Sequence, residues 1–328
     1  MENIFSIQTE QEFLAAALET FRYQYENVEV YRRFVDYLNI NPDKVDRLAN
    51  IPFLPIEMFK NHEILDRNAT AGLFFQSSGT TKMNLSKHFI ADENKYEESI
   101  CRSFEQFIGK PEDFIFLGLL PSYLERQNSS LIYMVDYLMK KSGQPENGYF
   151  LYNHEDLFNL LNTLGSRKVI LFGVSFALLD FIDYCRSGQN GGSLNALENL
   201  IVIETGGMKG RKEEMTKDEL LKILQEGFKT DAIYSEYSMT ELLSQAYSLG
   251  NNEYECPNWM KIMIRNAEDP FNYEKEGRTG AINIIDLANI HSCAFIATQD
   301  LGKTVGDKFQ VLGRIDHSDI RGCSLLVS

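Results

Sequence analysis

Two hydrophobic rhythms run along the chain. Near the N-terminus Phe13, Leu14, Ala17, Leu18, Phe21 and Val28 follow helical spacing, and Thr9 with Glu12 three residues later fits a capping box. The pattern predicts a helical segment over 1–50, interrupted at Asn41-Pro42. Ile51-Pro52-Phe53-Leu54-Pro55 is punctuated by proline, which predicts irregular backbone. From Phe74 onward, short apolar runs alternate with longer amphipathic stretches. Strands are predicted over Phe114–Leu119, Val169–Phe172, Leu200–Glu204 and Ala232–Tyr234. Helices are predicted over Glu93–Phe107, Ser129–Lys141, Phe176–Arg186 and Lys212–Phe228. This order predicts an α/β fold, a mostly parallel sheet covered by helices, over 51–279. Beyond Gly280 the runs become strand-like (Ala281–Asp286, Ala294–Thr298, Lys308–Leu312), which predicts a β-rich closing lobe over 280–328 of the same single domain. Ligands of open α/β sheets sit at the carboxyl ends of strands, so the loops there are where chemistry is expected.

Composition narrows the classes. With 44% hydrophobic and 24% charged residues, the 328-residue chain is ordinary globular protein rather than collagen-like, disordered or coiled-coil. Its 32 Lys+Arg against 47 Asp+Glu give a formal charge of −15, which disfavours nucleic acid and anionic membranes as partners. Small anionic ligands need only a few placed cations and remain open. There is neither a signal-peptide pattern at Met1–Ile7 nor an apolar run of the roughly 20 residues a spanning helix requires, so a cytoplasmic protein without membrane insertion is expected. The five cysteines, Cys101, Cys185, Cys256, Cys293 and Cys323, lack the spacing of zinc or disulfide frameworks.

Several segments can carry chemistry. Ser77-Ser78-Gly79-Thr80-Thr81-Lys82 offers four hydroxyls, a permissive glycine and a cation without a carboxylate, as a loop around phosphates requires; it equally fits a polar surface turn. In Tyr237-Ser238-Met239-Thr240-Glu241, Thr240 can contact phosphate and Glu241 can ligate Mg2+, while Ser238 and Glu241 also fit a helix start. Asp300 suits a ribose diol or a turn, and Gly206-Gly207 a flat ring or a tight turn. Near the chain end Cys323 follows Gly322, with Arg321 and His317 close enough in sequence to depress a thiol pKa if they converge. A competing pattern, Gly173-Val174-Ser175-Phe176-Ala177, nearly matches a nucleophile elbow, with His291 or His317 as base; Ser175 also fits a plain helix N-cap.

Taken in order, these segments resemble the adenylate-forming (acyl-activating) enzyme superfamily. The hydroxyl-rich loop looks like its phosphate-binding signature, Tyr237–Glu241 like Tyr-Gly-x-Thr-Glu, Thr298–Asp300 like Thr-Gly-Asp, and Gly313-Arg314 like its ribose contact. Within it, Ile51–Lys60, Ser86-Lys87-His88, Pro121–Arg126 and Arg321-Gly322-Cys323-Ser324 resemble the acyl-protein synthetases, the long-chain-fatty-acid–luciferin-component ligases. The resemblance implies the large N-terminal domain of that fold without its mobile C-terminal domain. It implies that Ser77, Ser78, Gly79, Thr80 and Thr81 hold the β/γ-phosphates of ATP, that Thr240 touches the α-phosphate and that Glu241 ligates Mg2+. Asp300 and Arg314 would hold the ribose, Gly206 and Gly207 would border the adenine, Tyr237 would belong to the same cofactor-binding set, and Cys323 would accept the acyl group. Departures are Lys82 in place of a glycine, and Ser238 and Gln299 in place of glycines. Lys82, Lys87 or His88 are then expected to supply the charge that the superfamily's C-terminal lysine provides. The implied activity is ATP-dependent activation of a carboxylic acid, a fatty acid by the resemblance to this branch, with acyl transfer to Cys323 and on to a partner protein. The alternatives are a Ser175 hydrolase or acyltransferase, and a catalytically reduced nucleotide-binding subunit of a biosynthetic complex.

Overall fold

The computed structural model describes residues 3–77, 85–121, 128–187, 194, 197–206 and 215–315. Helix α1 (Glu10–Asn27) starts at the predicted capping box: Glu12 N donates to Thr9 Oγ1 at 3.2 Å and Thr9 N to Glu12 Oε2 at 2.9 Å. Its apolar face buries Phe13, Ala17 and Phe21, and α2 (Glu29–Tyr37) adds Tyr31 and Val35. Phe21 and Tyr31 lie 6.4 and 6.0 Å from the ring of Phe295, so this pair of helices docks on the C-terminal strands rather than standing apart.

The remaining elements are β1 (Leu54–Pro55), α3 (Met58–Asn61), β2 (Leu73–Gln76), β3 (Lys87–Ile90), α4 (Glu93–Phe107), β4 (Ile115–Leu119), α5 (Ser130–Ser142), β5 (Gly148–Tyr149), α6 (His154–Thr163), β6 (Val169–Gly173), α7 (Ser175–Arg186), β7 (Leu200–Thr205), α8 (Lys217–Phe228), β8 (Ile233–Tyr237), β9 (Ala246–Ser248), β10 (Tyr254–Glu255), β11 (Met260–Arg265), β12 (Gly280–Asp286), β13 (Phe295–Val305) and β14 (Lys308–Arg314). Strands β5-β4-β6-β7-β8 pair in parallel. Their runs are buried on both faces, as a helix-covered parallel sheet demands. Leu117, Leu171, Val202 and Ile233 pack with Leu178, Phe181, Leu224 and Phe228 of α7 and α8. Phe116, Phe172 and Ile203 belong to the other core, with Ile100, Phe104, Val135 and Leu138 of α4 and α5.

The C-terminal strands do not form a separate layer. From β8 the same sheet continues through β9, β10, β14, β13, β12 and β11, every pair antiparallel. The expectation of irregular backbone at Ile51–Pro55 is corrected. Leu54 and Pro55 form β1, parallel to β13 (Leu54↔Ile296, Pro55↔Ala297), and Ile56 N donates to Ala297 O at 3.0 Å. Proline is tolerated because β1 pairs on one side only, where its missing N–H costs no ladder bond.

Candidate active site

The hydroxyl-rich loop rises from the β2–β3 hairpin, whose register pairs Phe75 with His88 and Gln76 with Lys87. One step beyond, Ser77 N donates to Ser86 O at 3.1 Å and Ser86 N to Ser77 Oγ at 3.0 Å, closing the stem. Ser78, Gly79, Thr80, Thr81 and Lys82 lie outside the described residues, as do Gly207, His317, Arg321 and Cys323. The side chain of Ser86 reaches across to hydrogen-bond Glu241, joining this stem to the Thr240–Glu241 segment.

That segment is a turn. The alternative in which Ser238 starts a helix is not realised, because the chain reverses into β9, pairing Tyr237 with Ala246. Buried groups hold the turn from beneath. Asp286 Oδ2 accepts from Leu243 N at 2.8 Å and Ser244 N at 3.0 Å, and its Oδ1 from Ser244 Oγ at 2.6 Å. Asn289 Nδ2 donates to Glu241 O at 2.8 Å and Cys293 O at 2.9 Å. Gln24 of α1 donates to the carbonyls of Asn289 and Ile290, both at 2.9 Å, which locks that loop in turn. Sequence reading passed over Asp286, Asn289 and Gln24. Their one signal was a polar residue where an apolar strand or helix face required a hydrophobe. Asp286→Ala leaves several buried donors unpaired, so a loss of about 3 kcal/mol or more is expected in urea unfolding; a change under about 1 kcal/mol would show the turn to be held elsewhere.

His88 requires a correction. Its ring is buried, with Nδ1 2.9 Å from Thr240 O and Nε2 3.0 Å from Asn289 Oδ1. Burial pushes its pKa down to about 4 while the two acceptors pull it up, and with both ring nitrogens engaged inside the fold neither is free to reach a phosphate. The ring positions the Thr240 carbonyl instead. Glu241 itself is 4% exposed; burial raises its pKa, while the Ser86 hydrogen bond and the charges of Arg314 and Lys60 draw it back down.

A second group assembles where β13 and β14 meet. Asp300 lies on β13, not in a turn, and accepts from Tyr237 OH at 2.8 Å and from Arg314 Nε at 3.1 Å. The pairing depends on a β-bulge. The register passes from Gly302↔Val311 to Leu301↔Gly313, leaving Leu312 unmatched, and so sets Arg314 opposite Asp300. Gly313 makes the bulge possible at φ 144°, a conformation that side-chain-bearing residues rarely adopt.

Gly206 follows β7 at φ 72°, and its carbonyl oxygen lies 2.6 Å from Ser175 Oγ. Ser175 is not the N-cap of α7; Val174 occupies that place, and the serine sits one residue inside. Its hydroxyl also contacts Glu204, which in turn pairs with Lys217. Among the described residues no histidine touches Ser175: His154 packs on Phe181 and Tyr184, His291 faces Asp66, and His88 is committed as above. Among the described residues the neighbours of this serine are a carboxylate and a carbonyl, and no imidazole base stands beside it; His317 lies outside them.

The neighbouring Glu236 explains one departure from the superfamily pattern. It is fully buried, Oε1 has no partner, and the hydroxyl of Ser238, which stands in place of a glycine, hydrogen-bonds to it. Burial raises its pKa to about 7 from the ordinary 4.5, with Glu204 adding to the rise and Ser238 opposing it. The folded state thus keeps a proton that the unfolded chain releases. The associated stability is present in full below pH 4.5 and is lost as pH rises to about 7. Glu236→Gln is expected to gain on wild type in urea unfolding by up to about 3 kcal/mol between about pH 5 and about pH 8. Comparison at each pH cancels His88, whose contribution runs the other way. A difference independent of pH would show Glu236 ionised in the fold.

Among solved structures, the chain is similar to 2-hydroxyisobutyryl-CoA ligase in complex with 2-HIB-AMP and CoA, with a TM-score of 0.71 at 13% identity, covering 94% of this chain and 70% of that one. It is also similar to ATP-bound MatB from Rhodopseudomonas palustris (TM-score 0.56, 14% identity, 76% and 49% covered). McyG A-PCP complexed with phenylalanyl-adenylate is comparable (TM-score 0.56, 16% identity, 77% and 42% covered). At these identities the likeness is one of fold. No match was found among curated protein sequences. The family model described as acyl-protein synthetase, LuxE, matches residues 4–328. A match across nearly the whole chain, on a fold shared with adenylate-forming ligases, establishes that this protein belongs to the LuxE acyl-protein synthetase family.

Proposed function

We propose that the protein activates a carboxylic acid, a fatty acid by the resemblance of its branch, as an acyl-adenylate at the expense of ATP, then transfers the acyl group to Cys323 and on to a partner protein. The observation that supports this reading is the meeting of distant segments at Glu241. Ser86 brings the stem of the hydroxyl-rich loop to it, and Arg314, paired with Asp300, contributes its charge there.

In the first step a carboxylate oxygen attacks the α-phosphorus, and the bond to the bridging oxygen breaks. Pyrophosphate departs with the electron pair. Two anions must approach each other, so fixed donors and cations have to offset their repulsion and the charge developing at phosphorus. Thr240 would contact the α-phosphate, Asp300 would accept from the ribose hydroxyls, and Tyr237 and Arg314 would hold Asp300 in place. Gly206 would leave room for the adenine.

A site for Mg2+ fits these residues. Among the described residues no three potential ligands cluster into a closed cage. One carboxylate suffices where phosphate oxygens and water complete the shell, and Glu241 is a buried carboxyl group beside the Ser86 hydroxyl. Bound there, Mg2+ would neutralise phosphate charge.

In the second step a cysteine thiolate attacks the mixed anhydride carbonyl; a thioester forms and AMP leaves with its proton balance supplied by solvent. Burial makes the other thiols poor candidates. It pushes Cys101 and Cys185 up to about 11, Cys293 to about 12 and Cys256 higher still, with Glu105 adding to the rise at Cys101. The test is ATP–pyrophosphate exchange across fatty and aromatic acids. Exchange dependent on one acid class supports the reading; ATP binding without exchange on any acid would leave a nucleotide-binding subunit.

A further inference from the structure

Beside the stem of the hydroxyl-rich loop lies an open cleft of about 480 Å³, within the roughly 300–1,000 Å³ typical of small-molecule sites. Gln76 and Leu85, the residues on either side of that loop's described ends, form part of its wall. So do Lys87 of β3 and Lys60 of α3, with His62 and a single carboxylate, Glu63. In a chain of formal charge −15, a cleft with two lysines against one carboxylate is locally cationic.

The fold delivers Lys60 there deliberately. Strand β1 pairs with Ile296 and Ala297 of β13, three residues before Asp300, and Glu57 bonds to Gln299. Helix α3 follows at once, so Lys60 comes directly after a strand paired with the one that carries Asp300, and Phe59 of the same helix packs on His88 of β3. Lys60 is exposed and makes no ion pair with any described carboxylate, whereas Lys87 lies 5.7 Å from the centre of the Phe74 ring. Phe59, the neighbour of Lys60 on α3, packs edge-on against His88 with ring centres 5.7 Å apart, and His88 Nδ1 lies 2.9 Å from Thr240 O, so α3 is seated beside the Thr240–Glu241 turn. A cleft with two lysines beside that turn, on the side of the sheet where Asp300 pairs with Arg314, suits a ligand that carries ribose at one end and a polyphosphate at the other.

Resting on the adenylation reading, we propose that Lys60 binds the β- and γ-phosphates of ATP in this cleft and holds the departing pyrophosphate, with Lys87 as the secondary cation. Sequence reading had assigned the compensating charge to Lys82, Lys87 or His88; the geometry points to Lys60.

The experiment is calorimetric binding of MgATP, inorganic pyrophosphate and AMP to wild type, Lys60→Met and Lys60→Arg. Lys60→Met is expected to weaken ATP and pyrophosphate by about 10- to 50-fold, as for a lost charge-assisted contact, and AMP by no more than about twofold. Lys60→Arg should recover most of the loss. Because Lys60 is solvent-exposed at the end of a short helix, the fold should survive either change. Unchanged ATP affinity in Lys60→Met, or an equal loss for AMP, overturns the assignment while leaving adenylation intact. Wild-type protein that binds neither ATP nor AMP overturns adenylation and Lys60 together.

Discussion

Glu241→Gln is expected to lower ATP–pyrophosphate exchange by about 10²–10³-fold while the protein remains folded. The amide preserves the shape of a side chain that is 4% exposed and keeps an oxygen for the Ser86 hydroxyl. What it removes is the negative charge that would hold Mg2+. Charge loss without shape loss separates a metal ligand from a structural glutamate. A structural role predicts a fall in thermal midpoint with exchange reduced in proportion to the folded fraction. A ligand role predicts an unchanged midpoint and an exchange defect partly relieved by raising Mg2+ concentration. Exchange within about twofold of wild type would remove Glu241 from the site.

Cys323→Ser is expected to abolish acid-dependent labelling of the protein as a hydroxylamine-sensitive thioester, with exchange retained. The two variants divide the reaction at the acyl-adenylate: one loses both half-reactions, the other only the second. Serine hydroxyl is a far weaker nucleophile near neutral pH than a thiol, so labelling should fall below detection rather than merely slow. Thioester persisting in Cys323→Ser would direct attention to Cys101 or Cys185, the half-buried thiols, despite pKa values pushed up to about 11. Loss of exchange in Cys323→Ser would mean that the chain end takes part in adenylation itself.

The parallel half of the sheet was the most legible part of the fold. Phe114–Leu119, Val169–Phe172 and Leu200–Glu204 were expected as strands and correspond to β4, β6 and β7 within one residue at each end. Glu93–Phe107 coincides with α4. Central strands buried on both faces must be continuous apolar runs, and amphipathic helices must carry a stripe, so local sequence states both. Shorter pieces were lost for the opposite reason. Strands β5 and β10 hold two residues each, and β1 hides behind proline. Their identity as strands comes from the partner they pair with.

The site divides along the same line. The residue types that the adenylation reading calls for are local features of the chain: hydroxyls at 77–81, Thr240-Glu241, Asp300 and Gly313-Arg314 each carry a chemical character that needs no partner to be recognised. How they are held was not. Asp286, Asn289 and Gln24 look like ordinary polar residues until burial makes each unsatisfied donor or acceptor costly. His88 looked like a free cation until the fold buried its ring and engaged both nitrogens, Nδ1 at Thr240 O and Nε2 at Asn289 Oδ1. Lys60, by contrast, sits some 180 residues before Glu241, and the β1–β13 pairing with the Phe59–His88 contact brings its helix beside the Thr240–Glu241 turn. Sequence by itself determined the chemistry on offer and the elements that bear it, because residue type and hydrophobic period are local properties. Tertiary structure decided which charges survive and which segments meet, because desolvation and Coulomb interaction depend on distances through space rather than along the chain.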